Sequence, residues 1–390
     1  MADKSVSRED GANSPFPQSL PALTSVRFVL AAGVAFFHYH LVWPLDDMAV
    51  THLLERARLG VDVFFILSGF ILTHVYHRRA SRGRYSHGRF LLARIARVYP
   101  MHLAALALFV AMVLAGQASG AGFRTTYAWS DLAAAVALVQ AWSPDPNPNP
   151  WNGPSWSLSA EWFAYLLYPA FAWAGLRLRS RPTLLLLLAG ALFVGLDAIY
   201  AAAYGTILPR AEEGLGILRI VPEFLYGVAL YRLGERAIVS RRGSVAFASV
   251  SAVVFLSLMH FGVDDRLIVL AAGPLVLSLA LLSKREADGA FSRSWMLLAG
   301  EASYALYLLH MPLLIAWRYA ASMVAGRAVT SPLPVAEALV LFVMTTVAAL
   351  VAHILWERPA RDWIRRFADR RWPAAAPTTS VPPGSQPPDY

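Results

Sequence analysis

The chain has 390 residues, of which 57% are hydrophobic and 15% are charged, and its mean hydropathy is +0.48. Soluble globular domains carry about a quarter of their residues as charged side chains, so this composition excludes that class and predicts a polytopic membrane protein. The formal net charge is +9, and the absence of cysteine excludes disulfides, cysteine metal ligands and a cysteine nucleophile.

Ten apolar segments are long enough to cross a bilayer as helices. In chain order they are 23–43, 59–77, 95–116, 158–176, 183–203, 214–231, 244–261, 266–283, 295–319 and 333–356. The stretch 129–142 is shorter and flanked by Trp, and we predict that it lies at the interface or re-enters the membrane. The polar residues 1–20 and the Pro-rich residues 372–390 are predicted to be disordered tails on a transmembrane domain formed by residues 21–371.

The basic residues follow this topology. With the N-terminus inside and ten spans, 25 Lys and Arg residues fall in inner loops and tails, six fall in outer loops and three fall within segments. This asymmetry obeys the positive-inside rule. It predicts an all-α transmembrane helical bundle with both termini inside, and it explains the positive charge without a nucleic-acid partner.

The first segment carries Arg27 and His38 inside a mainly apolar run. A spacing of eleven residues returns to the same face of an α-helix, so both side chains are predicted to line one stripe, about 16 Å apart. Ionisable groups within membrane helices are costly and mark functional sites. His38 is the candidate general base, since an imidazole titrates near neutral pH. The alternative is a histidine that only hydrogen-bonds a neighbouring helix.

The second segment contains the run GVDVFFILSGFIL, with Asp62 near its outer end. Two interpretations of this carboxylate are equally open, because it can orient His38 or cap its own helix. Ser68 and Gly69 follow in the middle of the segment, where small residues allow helices to approach closely.

The third segment begins RFLLARIARVYP, in which Arg94 and Arg97 share a helix face because they are three residues apart. Two guanidinium groups on one face suit a phosphate-bearing ligand from the cytoplasm. Spacing alone favours the simpler alternative, ordinary positive-inside charge.

The outer loop 117–157 leads into the run WSLSAEWFAYLLYP. Trp156 is typical of a membrane interface and can also stack on a sugar ring. Ser157 or Ser159 can cap the helix that follows, and Glu161 is expected just inside that helix, where the helix dipole stabilises a carboxylate. The depth assignment places Glu161 with Asp62 and His38 toward the outer leaflet.

The ninth segment contains GEASYALYLLHMPLLIAW, with Tyr304 low in the helix and His310 past its middle. His310 is a substrate-binding candidate, and its alternative is a histidine that packs between helices. Arg219 and Glu223 in the sixth segment are four residues apart, and we predict that they pair with each other.

Taken in order, these pieces resemble the acyltransferase-3 family of membrane acyltransferases. The resemblance runs from about residue 21 to 365. It rests on the spacing of Arg27 and His38, GVDVFFILSGFIL, Arg94-x-x-Arg97 followed by Tyr99-Pro100, WSLSAEWFAYLLYP, GEASYALYLLHMPL and Trp356-Glu357-Arg358-Pro359. Many relatives have an LDGLR-like run where this chain reads LPALTSVRF, so the usual acidic residue is missing at Ala22.

The resemblance implies transfer of an acyl group from cytoplasmic acyl-CoA to a hydroxyl, commonly on an envelope or secreted glycan. It implies that Arg27 and His38 are essential, that His38 is the base, and that Arg94 and Arg97 bind the acyl-CoA. Further candidates are, for catalysis, Asp62 and Glu161 and, for substrate binding, Trp156, Ser157, Tyr304 and His310. The chain resembles the branch of the family that has no fused soluble domain.

The sequence therefore predicts an O-acyltransferase of the bacterial inner membrane with acetyl-CoA as the default co-substrate. We expect no metal and no permanently bound cofactor. The expected partners are acyl-CoA, a carbohydrate or glycolipid acceptor and membrane lipids. The identity of the acceptor, a succinyl or longer donor, an acyl-His38 intermediate and the oligomeric state, including a homo-oligomer, all stay open.

Two other classes of protein compete with this prediction. A polysaccharide exporter or secondary carrier would move its substrate without an acyl donor and would ignore coenzyme A. A structural or regulatory membrane subunit would tolerate substitution at Arg27, His38, Arg94 and Arg97.

Overall fold

The computed structural model describes residues 15–44, 50–118, 127–145, 147, 150–212 and 214–371. These residues form helices and connecting segments, and no strand occurs among them, which confirms the prediction of an all-α fold. Residues 1–14 of the predicted N-terminal tail 1–20 and the whole predicted tail 372–390 lie outside the described residues, as does part of the outer loop 117–157.

The helices follow one another in short succession along the chain. They are α1 (Pro21–His40), α2 (Leu53–Arg56), α3 (Gly60–Ser81), α4 (His87–Ala118), α5 (Trp129–Ala137), α6 (Trp156–Leu166), α7 (Tyr168–Arg177), α8 (Pro182–Tyr204), α9 (Ile217–Arg236), α10 (Arg241–His260), α11 (Asp265–Lys284), α12 (Ser294–Ala325), α13 (Val335–Ala352) and α14 (Arg358–Arg371). A π-helical segment, His353–Glu357, joins the last two. Short 3₁₀ turns occupy Ala57–Leu59, Gln140–Trp142, Gly153–Ser155, Leu208–Arg210 and Gly289–Ser292.

Eight helical stretches within the described ranges are long and apolar enough to cross a membrane. They coincide with eight of the ten predicted segments. The segment 158–176 is divided between α6 and α7, which have 11 and 10 residues, and 214–231 forms α9 with charged side chains inside it. The protein is thus a multi-pass membrane protein, while ten spans with both termini inside stay a prediction.

The stretch 129–142 does not form a spanning helix. Helix α5 has nine residues, which is about 14 Å at 1.5 Å per residue. This length is less than half of the roughly 30 Å hydrocarbon core, so α5 is too short to cross it.

Two close helix crossings position the site. A Cβ atom on Gly69 of α3 would lie 2.0 Å from the carbonyl oxygen of Phe224, and one on Gly227 of α9 would lie 2.0 Å from that of Ile66. The close approach predicted at Gly69 is therefore confirmed for α3 and α9. Helix α1 packs mainly on α12, where a Cβ atom on Gly300 would lie 2.1 Å from a backbone oxygen of α1.

The end of the predicted N-terminal tail belongs to the packed protein. Phe16 is 1% exposed, and its ring meets those of Phe70 and Tyr231 at centroid distances of 5.5 and 5.6 Å. Burial of one aromatic side chain stabilises a segment by about 2 kcal/mol. This contact explains why residues 15–20, predicted as part of a disordered tail, lie against the bundle.

Candidate active site

The histidine predicted to be the base lies near the end of α1, beside a cavity that α6, α9 and α12 also border. The cavity and its open mouth enclose about 330 Å³. Its lining includes Phe37, His38, Arg58, Trp156, Glu212 and Tyr307. We call this space the histidine cavity. Although the Glu212 side chain is exposed, desolvation by the surrounding protein raises the pKa of its carboxyl, and nearby Arg219 and Arg58 oppose the rise.

Two contacts hold the imidazole of His38. Its Nδ1 atom lies 2.9 Å from the carbonyl oxygen of Val34, one turn earlier in α1, and 3.1 Å from Nε2 of His310 on α12. Among the described residues, Nε2 of His38 has no hydrogen-bond partner, and the side chain borders the cavity. Nε2 is therefore the nitrogen that can accept a proton from a bound hydroxyl.

Asp62 contacts Arg219 rather than His38. Its buried carboxylate accepts two hydrogen bonds from the guanidinium, which in turn lies 5.1 Å from the ring centroid of Trp156. Neither predicted contact of Asp62, with His38 or as a cap of α3, occurs in the structure. The predicted pairing of Arg219 with Glu223 is also wrong, because the carboxylate on α3 presents both oxygens to the planar guanidinium.

Tyr307 on α12 forms part of the cavity wall, and the sequence analysis missed it. Its hydroxyl donates a hydrogen bond to the carbonyl oxygen of Pro154 at 2.9 Å and lies 2.8 Å from the hydroxyl of Ser157. Ser157, a predicted substrate-binding residue, therefore contacts the hydroxyl of Tyr307 and helps to fix its position. The spacing of three residues between Tyr307 and His310, which puts both on one helix face, was an available signal.

The start of α6 differs from the prediction. The 3₁₀ turn Gly153–Ser155 leads directly into a helix that begins at Trp156. Ser157 therefore lies inside the first turn and does not cap the helix. Glu161 lies beyond the first turn, where the helix dipole acts weakly, and its carboxylate accepts a hydrogen bond from the hydroxyl of Ser68 at 2.7 Å.

Arg27, Arg94 and Arg97 meet in a second region, which we call the arginine cluster. Arg97 is ion-paired with the buried carboxylate of Glu357, and its guanidinium carbon lies 5.2 Å from the ring centroid of Tyr304. Arg27 interacts electrostatically with Arg97 and Glu357. The Nε atom of Arg27 is buried and has no hydrogen-bond partner among the described residues. Its N–H can therefore donate a hydrogen bond to a ligand.

Aromatic rings surround Arg94. Its guanidinium carbon lies 6.0 Å from the ring centroid of Tyr76, 5.8 Å from that of Phe90 and 5.9 Å from that of Tyr165, distances at which cation–π attraction acts. Tyr165 also interacts electrostatically with Arg97. The two arginines predicted to bind phosphate thus lie in one neighbourhood, where protein groups already engage both.

Arg97 is the first member of a series of contacts that continues through Glu357 and His353 to Glu301. The sequence analysis missed this series. Glu357 lies 2.9 Å from Nδ1 of His353, whose Nε2 lies 3.7 Å from the carboxylate of Glu301. The spacing of four between His353 and Glu357 was an available signal, but α-helical spacing does not anticipate the π-helical turn that contains them. Within the described ranges, no three such side chains are arranged to hold a metal ion.

Two predicted substrate-binding residues direct their polar atoms at protein groups. The hydroxyl of Tyr304 donates to the carbonyl oxygen of Val98 at 2.7 Å. His310 is fully buried, and its Nδ1 lies 2.6 Å from the carbonyl oxygen of Tyr307. His310 therefore stands behind His38 and does not line the cavity.

The family model described as an acyltransferase domain, of the acyltransferase-3 type, matches residues 20–354, which is most of the chain. No solved structure matches.

Three curated proteins are similar to the chain. Acyltransferase MdmB of Streptomyces mycarofaciens is 34% identical over 157 residues, which cover 38% of this chain and 38% of that protein. Exopolysaccharide production protein ExoZ of Rhizobium meliloti is 27% identical over 329 residues, covering 80% and 91%. Protein 2 in the picA locus of Rhizobium radiobacter is 36% identical over 95 residues, covering 24% and 46%. The matches span less than half the length of the first and third of these relatives.

Proposed function

The chain belongs to the acyltransferase-3 family, and from this premise we propose that it is an O-acyltransferase of the bacterial inner membrane. In this proposal it moves an acyl group, acetyl by default, from acyl-CoA to a hydroxyl of a carbohydrate. The observation that carries the proposal is the imidazole of His38, held at Nδ1 with Nε2 beside an open cavity. That geometry suits a general base acting on a hydroxyl.

The proposed reaction balances without a further reagent. Nε2 of His38 takes the proton of the acceptor hydroxyl while the hydroxyl oxygen attacks the thioester carbonyl carbon. The bond between that carbon and sulfur breaks, and the thiolate of coenzyme A leaves. The imidazolium of His38 then returns its proton to the thiolate, which restores the neutral base.

The arginine cluster supplies the proposed donor site. Phosphate groups prefer guanidinium partners, which bind them through parallel hydrogen bonds. Arg27 and Arg94 each have a buried Nε without a hydrogen-bond partner among the described residues, so both can add a contact to the donor. Arg97 would exchange the carboxylate of Glu357 for a phosphate, while Arg94 keeps its aromatic surroundings.

The histidine cavity is the proposed acceptor site. It is open on one side, and the cavity and its mouth together enclose about 330 Å³. The ring of Trp156 and the carboxylate of Glu212 line this space, a combination that suits a sugar. Arg58, also in the lining, is ion-paired with Asp265 and Glu55. The name of the similar exopolysaccharide production protein also favours a carbohydrate acceptor.

The test is acetyl-CoA binding, measured by calorimetry on the purified protein and on Arg94→Ala/Arg97→Ala. We expect saturable binding that the double substitution abolishes. Arg177→Ala, at the exposed end of α7, is the control and should bind as the wild type does. Absence of binding to folded wild-type protein would contradict a CoA-dependent transferase and favour another acyl donor or a carrier.

A further inference from the structure

The contact between His38 and His310 joins α1 and α12, which pack extensively against each other. The ring centroids are 4.8 Å apart, and Nε2 of His310 lies 3.1 Å from Nδ1 of His38. His310 is fully buried and is absent from the cavity lining. Its imidazole thus has no route to a substrate and acts through its neighbours.

The neighbouring carbonyl groups assign the proton positions in this pair. A backbone carbonyl oxygen only accepts hydrogen bonds, so Nδ1 of His310, 2.6 Å from the carbonyl of Tyr307, carries a proton. The Nε2 atom of a neutral His310 then has a lone pair. Nδ1 of His38 lies 2.9 Å from the carbonyl of Val34, so it also carries a proton, which it shares between that carbonyl and His310 Nε2.

This arrangement has a consequence for His38. A neutral imidazole with its proton on Nδ1 has its lone pair on Nε2, the atom without a partner among the described residues. When Nε2 is protonated, the positive charge spreads to Nδ1, and a hydrogen bond from an ionised donor is about twice as strong as a neutral one. An acceptor at Nδ1 therefore favours the imidazolium more than the neutral ring.

We propose that His310 is a positioning residue for His38: it accepts the Nδ1 hydrogen of His38, directs the basic Nε2 into the cavity and stabilises the imidazolium that forms during transfer. The proposal rests on the proposed function. His310 is anchored for this role by its own bond to Tyr307, whose hydroxyl is fixed in turn against Pro154. The pair works without a carboxylate, since Asp62 is committed to Arg219.

A pair of amide substitutions tests this role. In His310→Gln the amide reaches the place of Nε2 and can accept from His38, whereas in His310→Asn it reaches only the place of Nδ1 and keeps the bond to Tyr307. Loss of one hydrogen bond to a charged group corresponds to about a tenfold or greater effect. We expect kcat to fall at least tenfold in His310→Asn and only a few-fold in His310→Gln, with the KM for acyl-CoA unchanged in both.

The matched control is His102, a fully buried histidine on α4 whose Nε2 bonds the carbonyl of Ala135. His102→Asn and His102→Gln should affect kcat equally, because no catalytic group depends on which amide position is filled. Equal losses in the two His310 variants, or a parallel rise in KM, would overturn the positioning role and reduce His310 to a packing residue.

Nitrogen-15 NMR of histidine-labelled wild-type protein gives a readout that does not need activity. We expect the signals lost in His38→Ala to be those of a neutral ring with its proton on Nδ1. A His38 ring with its proton on Nε2 would overturn the inference even if the protein transfers acyl groups. If wild-type protein shows no transfer but has the Nδ1 tautomer, the proposed function fails while the histidine pair stands.

Discussion

The histidine cavity and the arginine cluster differ in how far the protein itself already engages their functional groups. In the cavity, contacts to Val34 and His310 hold one nitrogen of His38, and the other nitrogen is unpartnered among the described residues. In the arginine cluster, Arg97 is paired with a buried carboxylate and aromatic rings enclose Arg94. The histidine cavity is therefore organised for proton transfer before a ligand arrives, whereas in the arginine cluster a protein carboxylate already pairs with Arg97.

This difference between the two regions indicates that donor binding, rather than proton transfer, requires side chains to rearrange. Breaking one side of a buried ion pair costs about 3–5 kcal/mol unless a new partner replaces the old one. Under the proposed function, a donor phosphate would have to replace Glu357 at Arg97 as that pair opens. Proton transfer at His38 needs no such exchange. The predictions that follow test the two sides of this contrast, beginning with the largest expected effect.

Replacement of the base should separate catalysis from donor binding. In His38→Ala we expect the transfer rate to fall by about 10²–10⁴-fold, the range for loss of a general base. Calorimetry should show unchanged acetyl-CoA affinity, because the arginine cluster is untouched. The control is His102→Ala, which removes a buried histidine outside the cavity. A folded His38→Ala protein with full transfer activity would sink the proposed role.

Breaking the buried pair between Asp62 and Arg219, a residue of the cavity lining, should reduce stability. Asp62→Leu removes both hydrogen bonds from the Arg219 guanidinium to a carboxylate and leaves only its electrostatic interactions with Glu223 and Glu212. We expect a loss of about 3 kcal/mol in unfolding free energy, measured in detergent. The double variant Asp62→Leu/Arg219→Met removes both charges and should recover most of the loss. The more exposed pair Arg327–Glu337 is the control, and Glu337→Leu should change stability far less. Equal losses in the single and double variants would contradict the pairing.

Removing the carboxylate that pairs with Arg97 tests whether this ion pair opposes donor binding in the arginine cluster. In Glu357→Gln the guanidinium no longer has to exchange a carboxylate for a phosphate, so we expect acetyl-CoA to bind about tenfold more tightly, equivalent to about 1.4 kcal/mol. The unliganded variant should be less stable than wild type, because Arg97 loses its charged partner. Added acetyl-CoA should therefore raise its melting temperature more than that of the wild type. Weaker binding would mean that Glu357 positions Arg97 for the ligand.

The positions of the helices could be predicted from the sequence because the hydrocarbon thickness fixes the length of an apolar run. Eight of the ten segments reappear as long apolar helices. The break of 158–176 into two helices was less visible, although Pro169 lies in the first turn of α7, because membrane helices tolerate proline in their interior as well as in their first turn. The burial of Phe16 left no periodic signal, because it is a single aromatic residue in a polar stretch.

The site was predictable only within single helices. Helical spacing placed His38 and its neighbours on α1, but partners across helices are set by packing of the whole bundle. Arg97 and Glu357 are 260 residues apart, and Asp62 and Arg219 are 157 apart. One sequence offers no measure of such distances, and local spacing therefore suggested the wrong partner for Arg219.

Tyr304 gives the smallest effect and tests whether the arginine cluster contacts the donor through this side chain. Its hydroxyl is bonded to the carbonyl of Val98, while its ring lies 5.2 Å from the guanidinium carbon of Arg97. Tyr304→Phe keeps the ring and loses one neutral hydrogen bond, so we expect about 1 kcal/mol lower stability and less than a threefold change in the KM for acyl-CoA. Tyr304→Leu removes the ring and should raise that KM more. A large KM effect from the hydroxyl alone would mean that Tyr304 leaves Val98 to bind the donor, and the arginine cluster would then rearrange on both sides of Arg97.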